Sequence, residues 1–279
     1  MNADITKINK AFTHAGYFHA DDVFATALLL YLNPEIEVIR GFQVPENFDG
    51  IVYDIGFGKF DHHQKDRKVR ENGVPYGAFG LLWEAFGKLI LDAEDAKAFD
   101  EEFVQKLDYT DNIGEMNPMS AAINAMNANW DEADSEGCFN AAVELAETIL
   151  KRFFMMYRSA QKAKETVESK ITNSPVLVLD AFLPWKDAVD GKAIDYVIFP
   201  STRGGYNIQA VPLHKNTIEL KKAFPESWRC ATKDELVAQT GIESFSFCHA
   251  SGFLCATDTL EDALKVAELS LKYHDNKDE

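Results

Sequence analysis

Four segments dense in histidine and aspartate interrupt the first 112 residues, and three of them follow short strand-like runs. Ala11-Phe12-Thr13 reads as a strand ending near Gly16. A helix follows from about Asp21 to Leu32, with Val23, Phe24, Ala27, Leu28 and Leu30 to Leu32 forming a broad apolar face. Ile36 to Ile39 and Ile51-Val52-Tyr53 read as further strands, and Phe79 to Ile90 as a buried helix holding Trp83 and Phe86. Strand and helix in alternation predict an α/β fold built on a parallel sheet. In open α/β sheets, ligands bind just beyond the carboxyl ends of the strands. His14 and Asp54 each follow an apolar run and so reach that edge.

The polar segments are Thr13 to Asp22, Val52 to Gly56, Phe60 to Gln64 and Tyr109 to Asn112. Imidazole and carboxylate without thiolate suit a hard divalent ion such as Mn²⁺ better than structural zinc. About six such ligands, some shared, can hold two ions about 3.5–4 Å apart and set up phosphoryl chemistry with an activated water. Carboxylates packed this densely repel one another unless cations intervene. The bland alternative is capping, and for Asp22 a helix N-cap is favoured over ligation.

Residues 92 to about 170 read as mainly helical, with Glu136 to Lys170 forming one long helix or two. Ile171 to Pro175 is the best linker, which places a boundary near residue 172: a metal-binding domain over 1–172 and a smaller α+β substrate domain over 173–279. In the latter, Val176 to Leu179, Tyr196 to Phe199 and Ile208 to Val211 are strand-like. Asp234 to Gln239 is helical, Ser244 to Ala256 suggests a strand or hairpin, and Leu260 to Lys272 a closing helix. Phe153, Phe154 and Tyr157 read as core. The four cysteines, Cys138, Cys230, Cys248 and Cys255, form no CxxC pair and suggest a reducing, cytoplasmic setting. No apolar run approaches the ~20 residues of a membrane span, and Met1-Asn2-Ala3-Asp4 opens no secretory signal.

The ordered motifs resemble the DHH phosphoesterase superfamily, and more closely the melanocyte-proliferating-gene exonuclease family, a DHH-like family also labelled metal-dependent protein hydrolase. The likeness runs from Thr13-His14-x-Gly16-x-Phe18-His19-x-Asp21 through Tyr53-Asp54-Ile55-Gly56, Phe60-Asp61-His62-His63-Gln64 and Asp108-x-x-Asp111-Asn112. It continues in Gln209-Ala210-Val211-Pro212, Phe224 to Arg229 and Cys248 to Phe253. The resemblance implies metal ligation by His14, His19, Asp21, Asp54, His62 and Asp111, with His63 facing substrate and a C-terminal domain closing over the site. Two departures, Tyr206-Asn207 for a tryptophan-arginine pair and Cys255-Ala256 for a glycine pair, lie in the expected substrate domain.

Candidate phosphate contacts are Lys65, Arg67, Lys68 and Arg70 in the basic run after the Asp-His-His, with Lys65 and Arg67 foremost, Arg203 beside two glycines, and His249-Ala250-Ser251-Gly252, whose His249 and Ser251 would share one face of a strand. The leading expectation is a two-ion Mn²⁺ phosphoesterase, with Mg²⁺ as the alternative metal. Asp54 would bridge the ions, a water between them would attack phosphorus, and His63, Arg203 and His249 would stabilise the developing charge. The resemblance implies 3′–5′ exonuclease action on short single-stranded RNA. The alternatives are a pyrophosphatase or small-nucleotide phosphohydrolase, and a non-enzymatic metal-dependent binding protein. Oligomeric state is not legible. The net charge of −17 argues against a long duplex gripped over a wide surface. Most of that acidity falls between Asp92 and Glu147, where 15 acidic residues face Lys97 and Lys106, a balance of −13.

Overall fold

A computed structural model describes residues 5–275. The amino-terminal tetrapeptide read above for a secretory signal lies outside the described residues. The chain divides into two units that meet in sequence between Arg158 and Ser159.

The first unit opens with β1 (Lys10–His14), α1 (Ala20–Leu32), β2 (Glu37–Gly41) and β3 (Ile51–Val52). The sheet has the order β2-β1-β3 and both pairings are parallel, as the strand–helix alternation predicts. His14 therefore leaves β1 at the same edge from which Asp54 follows β3. Every residue of α1 from Ala20 to Leu29 is buried, which its apolar composition permits, and the helix stops at Asn33 because Pro34 disfavours a helical residue before it.

Next come α2 (Ala78–Phe86), shorter than the sequence suggests because it tightens into a 3₁₀ turn at Gly87–Leu89, and α3 (Ala93–Phe99). One π-helical turn, Asp100–Val104, leads into α4 (Gln105–Ile113), and α5 (Pro118–Asn124) follows. The long helix α6 (Ser135–Glu168) is continuous, about 50 Å at 1.5 Å per residue. Phe153 and Phe154 pack with Phe99, Phe103, Trp83 and Tyr31, the core role expected for them.

The second unit is a five-stranded mixed sheet of order β4-β5-β6-β8-β7, formed by β4 (Val176–Val178), β5 (Tyr196–Pro200), β6 (Tyr206–Ala210), β7 (Phe247–Cys248) and β8 (Leu254–Thr257). Only β4 and β5 run parallel. Its helices are the end of α6 beyond Arg158, α7 (Lys186–Val189), α8 (Lys233–Thr240) and α9 (Leu260–Asp275). Tyr196 and Ile198 of β5 pack with α9 residues Ala263 and Val266, while the intervening Val197 and Phe199 pack with Trp185 and Val189. That two-residue alternation means both faces of β5 are covered. Among the described residues no helix is long and apolar enough to cross a membrane.

Candidate metal centre

The sheet edge assembles the site. His14 is the last residue of β1. Asp54, two residues beyond β3, adopts a left-handed backbone with φ of 54°, a conformation that asparagine and aspartate tolerate best among residues with a side chain. Its N–H donates to the Phe60 carbonyl at 3.0 Å, and Tyr53 forms a parallel bridge with Phe60. The chain thus loops from Asp54 back alongside itself and delivers Asp61-His62-His63 next to the residue it started from.

Asp54 then lies between two imidazoles. Its Oδ2 is 3.2 Å from His14 Nε2, and its Oδ1 is 3.0 Å from His62 Nε2. On the His14 side stands Asp22 Oδ2, at 3.4 Å. On the His62 side stand Asp111 Oδ2 at 3.0 Å and Asp21 Oδ2 at 3.9 Å. Two groups of ligand atoms, His14–Asp22–Asp54 and Asp21–His62–Asp111, each fall within 4.8 Å, and a third, Asp54–His62–His63, joins them. The groups border a cavity of about 1150 Å³, which Lys65, Arg67, Tyr17 and Phe57 also line.

The residues fit divalent cations. Asp22 Oδ2 is buried and accepts no hydrogen bond. Four carboxylates meet two imidazoles with no thiolate, a hard donor set. Each imidazole turns Nε2 inward because Nδ1 is engaged outside: His14 Nδ1 donates to the Ala15 carbonyl at 3.2 Å and His62 Nδ1 to Asn112 Oδ1 at 3.3 Å. Asn112 is itself fixed, since its amide nitrogen donates to the carbonyls of Tyr76 and Asp108. Such outer partners set the tautomer of a ligating histidine.

Without ions the cluster holds protons instead. Burial works to lower His14, but the Asp54 hydrogen bond and the Asp22 and Asp54 charges override it and raise it to about 9. Burial likewise opposes His62, and hydrogen bonds to Asp111 and Asp54 lift it to about 11. Burial raises Asp22 to about 7 despite the opposing charge of His14, and raises Asp21 well above the carboxylate range, with Asp111 and Asp54 adding to the effect. Burial would raise Asp54 too, yet the two imidazoles hold it at about 2.

Asp21 and Asp22 divide their work differently from the sequence expectation. Asp22 is not the N-cap expected of it: His19 holds that position, and Asp22, third residue of α1, accepts the His19 N–H at 2.8 Å through Oδ1 while its other oxygen faces the site. Asp21 caps α2, accepting the N–H groups of Ala78 at 2.7 Å and Phe79 at 2.9 Å. His19 stands at the rim, half exposed, with Nδ1 3.9 Å from Asp111 Oδ1, outside all three ligand groups. His63 is exposed and oriented by Asp61, whose Oδ1 accepts its Nδ1–H at 2.8 Å. Arg67 donates to Asn112 Oδ1 at 3.0 Å. In the second unit, Arg203 lies in the exposed β5–β6 turn. His249 and Ser251 lie in the β7–β8 turn rather than on a strand, with His249 Nδ1 and Ser251 Oγ 3.0 Å apart. Gly252, φ 69°, packs so closely on Phe224 O and Arg229 that a side chain there would clash.

Two arginines brace the site: Arg40, which the sequence does not single out, and Arg70, a candidate phosphate contact in the sequence that is instead buried against carboxylates. Arg40 donates to the carbonyls of His14 at 3.1 Å and Gly16 at 3.0 Å. Arg70, buried over the Tyr76 ring, donates to Asp100 at 2.6 Å and pairs with Asp108 at 2.8 Å. Asp108 also accepts the Gly80 N–H and lies one turn before Asp111 on α4. Removing one member of a buried pair costs about 3–5 kcal/mol. Arg70→Met should therefore lower the melting temperature by roughly 10 °C. Adding Asp108→Asn should recover part of it, because the stranded charge is gone. A single variant that melts unchanged in a thermal scan would refute the bracing role.

Residues 10–271 match the MYG1 exonuclease family model, described as an uncharacterised protein family, UPF0160. The chain is 29% identical to the MYG1 protein of Dictyostelium discoideum, over 91% of this chain and 94% of that one. It is 29% identical to the MYG1 exonuclease of Rattus norvegicus, over 93% and 84% of the two chains, and 28% identical to that of Homo sapiens, over 93% and 85%.

Proposed function

The chain belongs to the MYG1 exonuclease family, and from that premise we propose that it is a metal-dependent phosphodiesterase that removes nucleotides from the 3′ end of short single-stranded RNA. The observation that carries this reading is the shared carboxylate of Asp54, which joins two ligand groups at the border of an open cavity. His14, Asp22 and Asp54 would hold one ion, and Asp21, His62 and Asp111, with Asp54 shared, the other, with His19 at the rim. Mn²⁺ is the ion proposed, with Mg²⁺ second. Bound divalent ions supply Lewis-acid stabilisation of phosphoryl charge and acidify water.

The chain's own groups do the rest. Lys65 and Arg67 attract the phosphodiester in a protein whose overall charge of −17 would otherwise repel it. His63, held by Asp61, presents its ring at the cavity, where it can pass a proton to or from the reacting oxygens. Asn112 keeps His62 in one tautomer. Arg203 and the His249–Ser251 turn, both in the second unit, are separately proposed to bind phosphate.

The purified protein with Mn²⁺ should release mononucleotides from 5′-labelled short RNA, and a 3′-terminal block or a chelator should stop it. Undiminished release with chelator would sink the metal mechanism. Hydrolysis of pyrophosphate with RNA left intact would replace the substrate.

A further inference from the structure

Resting on the phosphodiesterase reading, we propose that Tyr17 and Phe57 form a base-stacking rim to the cavity, so that the site selects phosphodiesters carrying a nucleobase beside the scissile phosphate.

Both side chains line the same cavity as His14, Asp54 and His63. Both expose most of their surface, Tyr17 59% and Phe57 72%. Scattered exposed aromatics are ordinary on protein surfaces. Phe57 is not ordinary, because its backbone is left-handed, with φ of 55°. That conformation costs a bulky residue of order 1–3 kcal/mol. Exposure of the ring returns none of that cost, and Gly56 and Gly58 on either side show that the loop takes glycine readily. A phenylalanine kept there needs a partner outside the fold.

The loop is also anchored to the reaction centre. The Phe57 N–H donates to Asp61 Oδ2 at 2.6 Å, while Asp61 Oδ1 holds His63 at 2.8 Å. One buried carboxylate thus fixes both the backbone that carries the Phe57 ring and the His63 imidazole at the cavity. Tyr17 stands on the other strand-end loop, its ring centroid 5.6 Å from that of His19. An aromatic face accepts any base, and Lys65 and Arg67 supply the charge for the backbone, a combination suited to single strands without sequence preference.

The test compares Tyr17→Ala and Phe57→Gly on a short RNA and on an abasic oligomer of the same ribose-phosphate backbone. Both variants should raise KM for RNA about tenfold or more, with KM and kcat on the abasic strand unchanged. Tyr17→Phe should behave as the parent. Phe57→Gly relieves the strained backbone and should melt no lower than the parent, so its defect cannot be ascribed to misfolding. Phe42→Ala removes another exposed aromatic, one that does not line the cavity, and should change neither substrate. Equal losses on both substrates, or no loss on RNA, would overturn the stacking role. Should the parent cleave neither strand, the phosphodiesterase reading fails while the rim is still judged, by calorimetric titration with adenosine monophosphate. Binding weakened in both variants supports it, and binding retained in both overturns it.

Discussion

Asp54→Asn should abolish most of the divalent-ion binding and lower any phosphodiesterase activity by at least about a hundredfold, the upper end of what losing an outer-sphere partner of a metal site costs, while leaving the fold intact. Asparagine is the near-isostere, and it is among the few residues that accept the left-handed backbone found at this position. The variant therefore removes charge and changes little else. The loss should reach both ligand groups at once, because one carboxylate oxygen faces His14 at 3.2 Å and the other faces His62 at 3.0 Å. Asp22→Asn makes the contrast, since Asp22 faces His14 alone at 3.4 Å. It should weaken one ion and spare the other. Metal content by elemental analysis, with turnover measured on the same samples, distinguishes the two. Full metal content and activity in Asp54→Asn would refute the shared-ligand arrangement.

The sequence made the first unit's sheet readable because its strands are short apolar runs closed by polar residues, and β1 and α1 emerge within a residue or so of the expected bounds. It also made readable which polar segments meet, since parallel strands send their carboxyl ends to one edge. What stayed hidden has a physical pattern. The N-cap expected at Asp22 is His19 instead, and a carboxylate has two oxygens: from the third position of α1, Asp22 Oδ1 accepts the His19 N–H while Oδ2 faces the site. Asp21 reaches a helix start 57 residues away, which no local pattern encodes. Arg40 and Arg70 act on partners 24 to 38 residues distant, so Arg40 looks like an ordinary surface charge in the sequence and Arg70 like one more phosphate contact of a basic run. Asn112 was visible only as part of a motif, and its role depends on a helix that brings it over the Asp108 carbonyl. The two departures from the family pattern, Asn207 and Ala256, turn out to be register partners across β6 and β8.

Chelation should cost the protein more stability at pH 8.5 than at pH 6. The ion-free cluster is held together by protons. His14 and His62, lifted to about 9 and about 11, lie above the unfolded value near 6.5. Their contribution is complete below about pH 6.5 and is lost as the pH rises through about 9 and then about 11. Asp22, raised by burial to about 7, works in the same direction: above about pH 4 the unfolded chain has released a proton that the folded chain keeps, so stability falls from about pH 4 to about 7. Asp54 alone runs the other way. Its value of about 2 means that its contribution is lost only as the pH falls below about 4 toward 2. Across the range from pH 6 to 9 the ion-free protein therefore weakens steadily. A divalent ion bound here would take the place of these protons, so its binding should tighten by about tenfold per pH unit for each proton displaced. The gap between melting temperatures with saturating Mn²⁺ and with chelator should widen with pH. Calorimetric titration in buffers of different ionisation enthalpy should show more than one proton released at pH 7.5. A gap that stays constant or narrows would mean that the histidine and aspartate protons do not stand where the ions bind, and that the ions sit elsewhere.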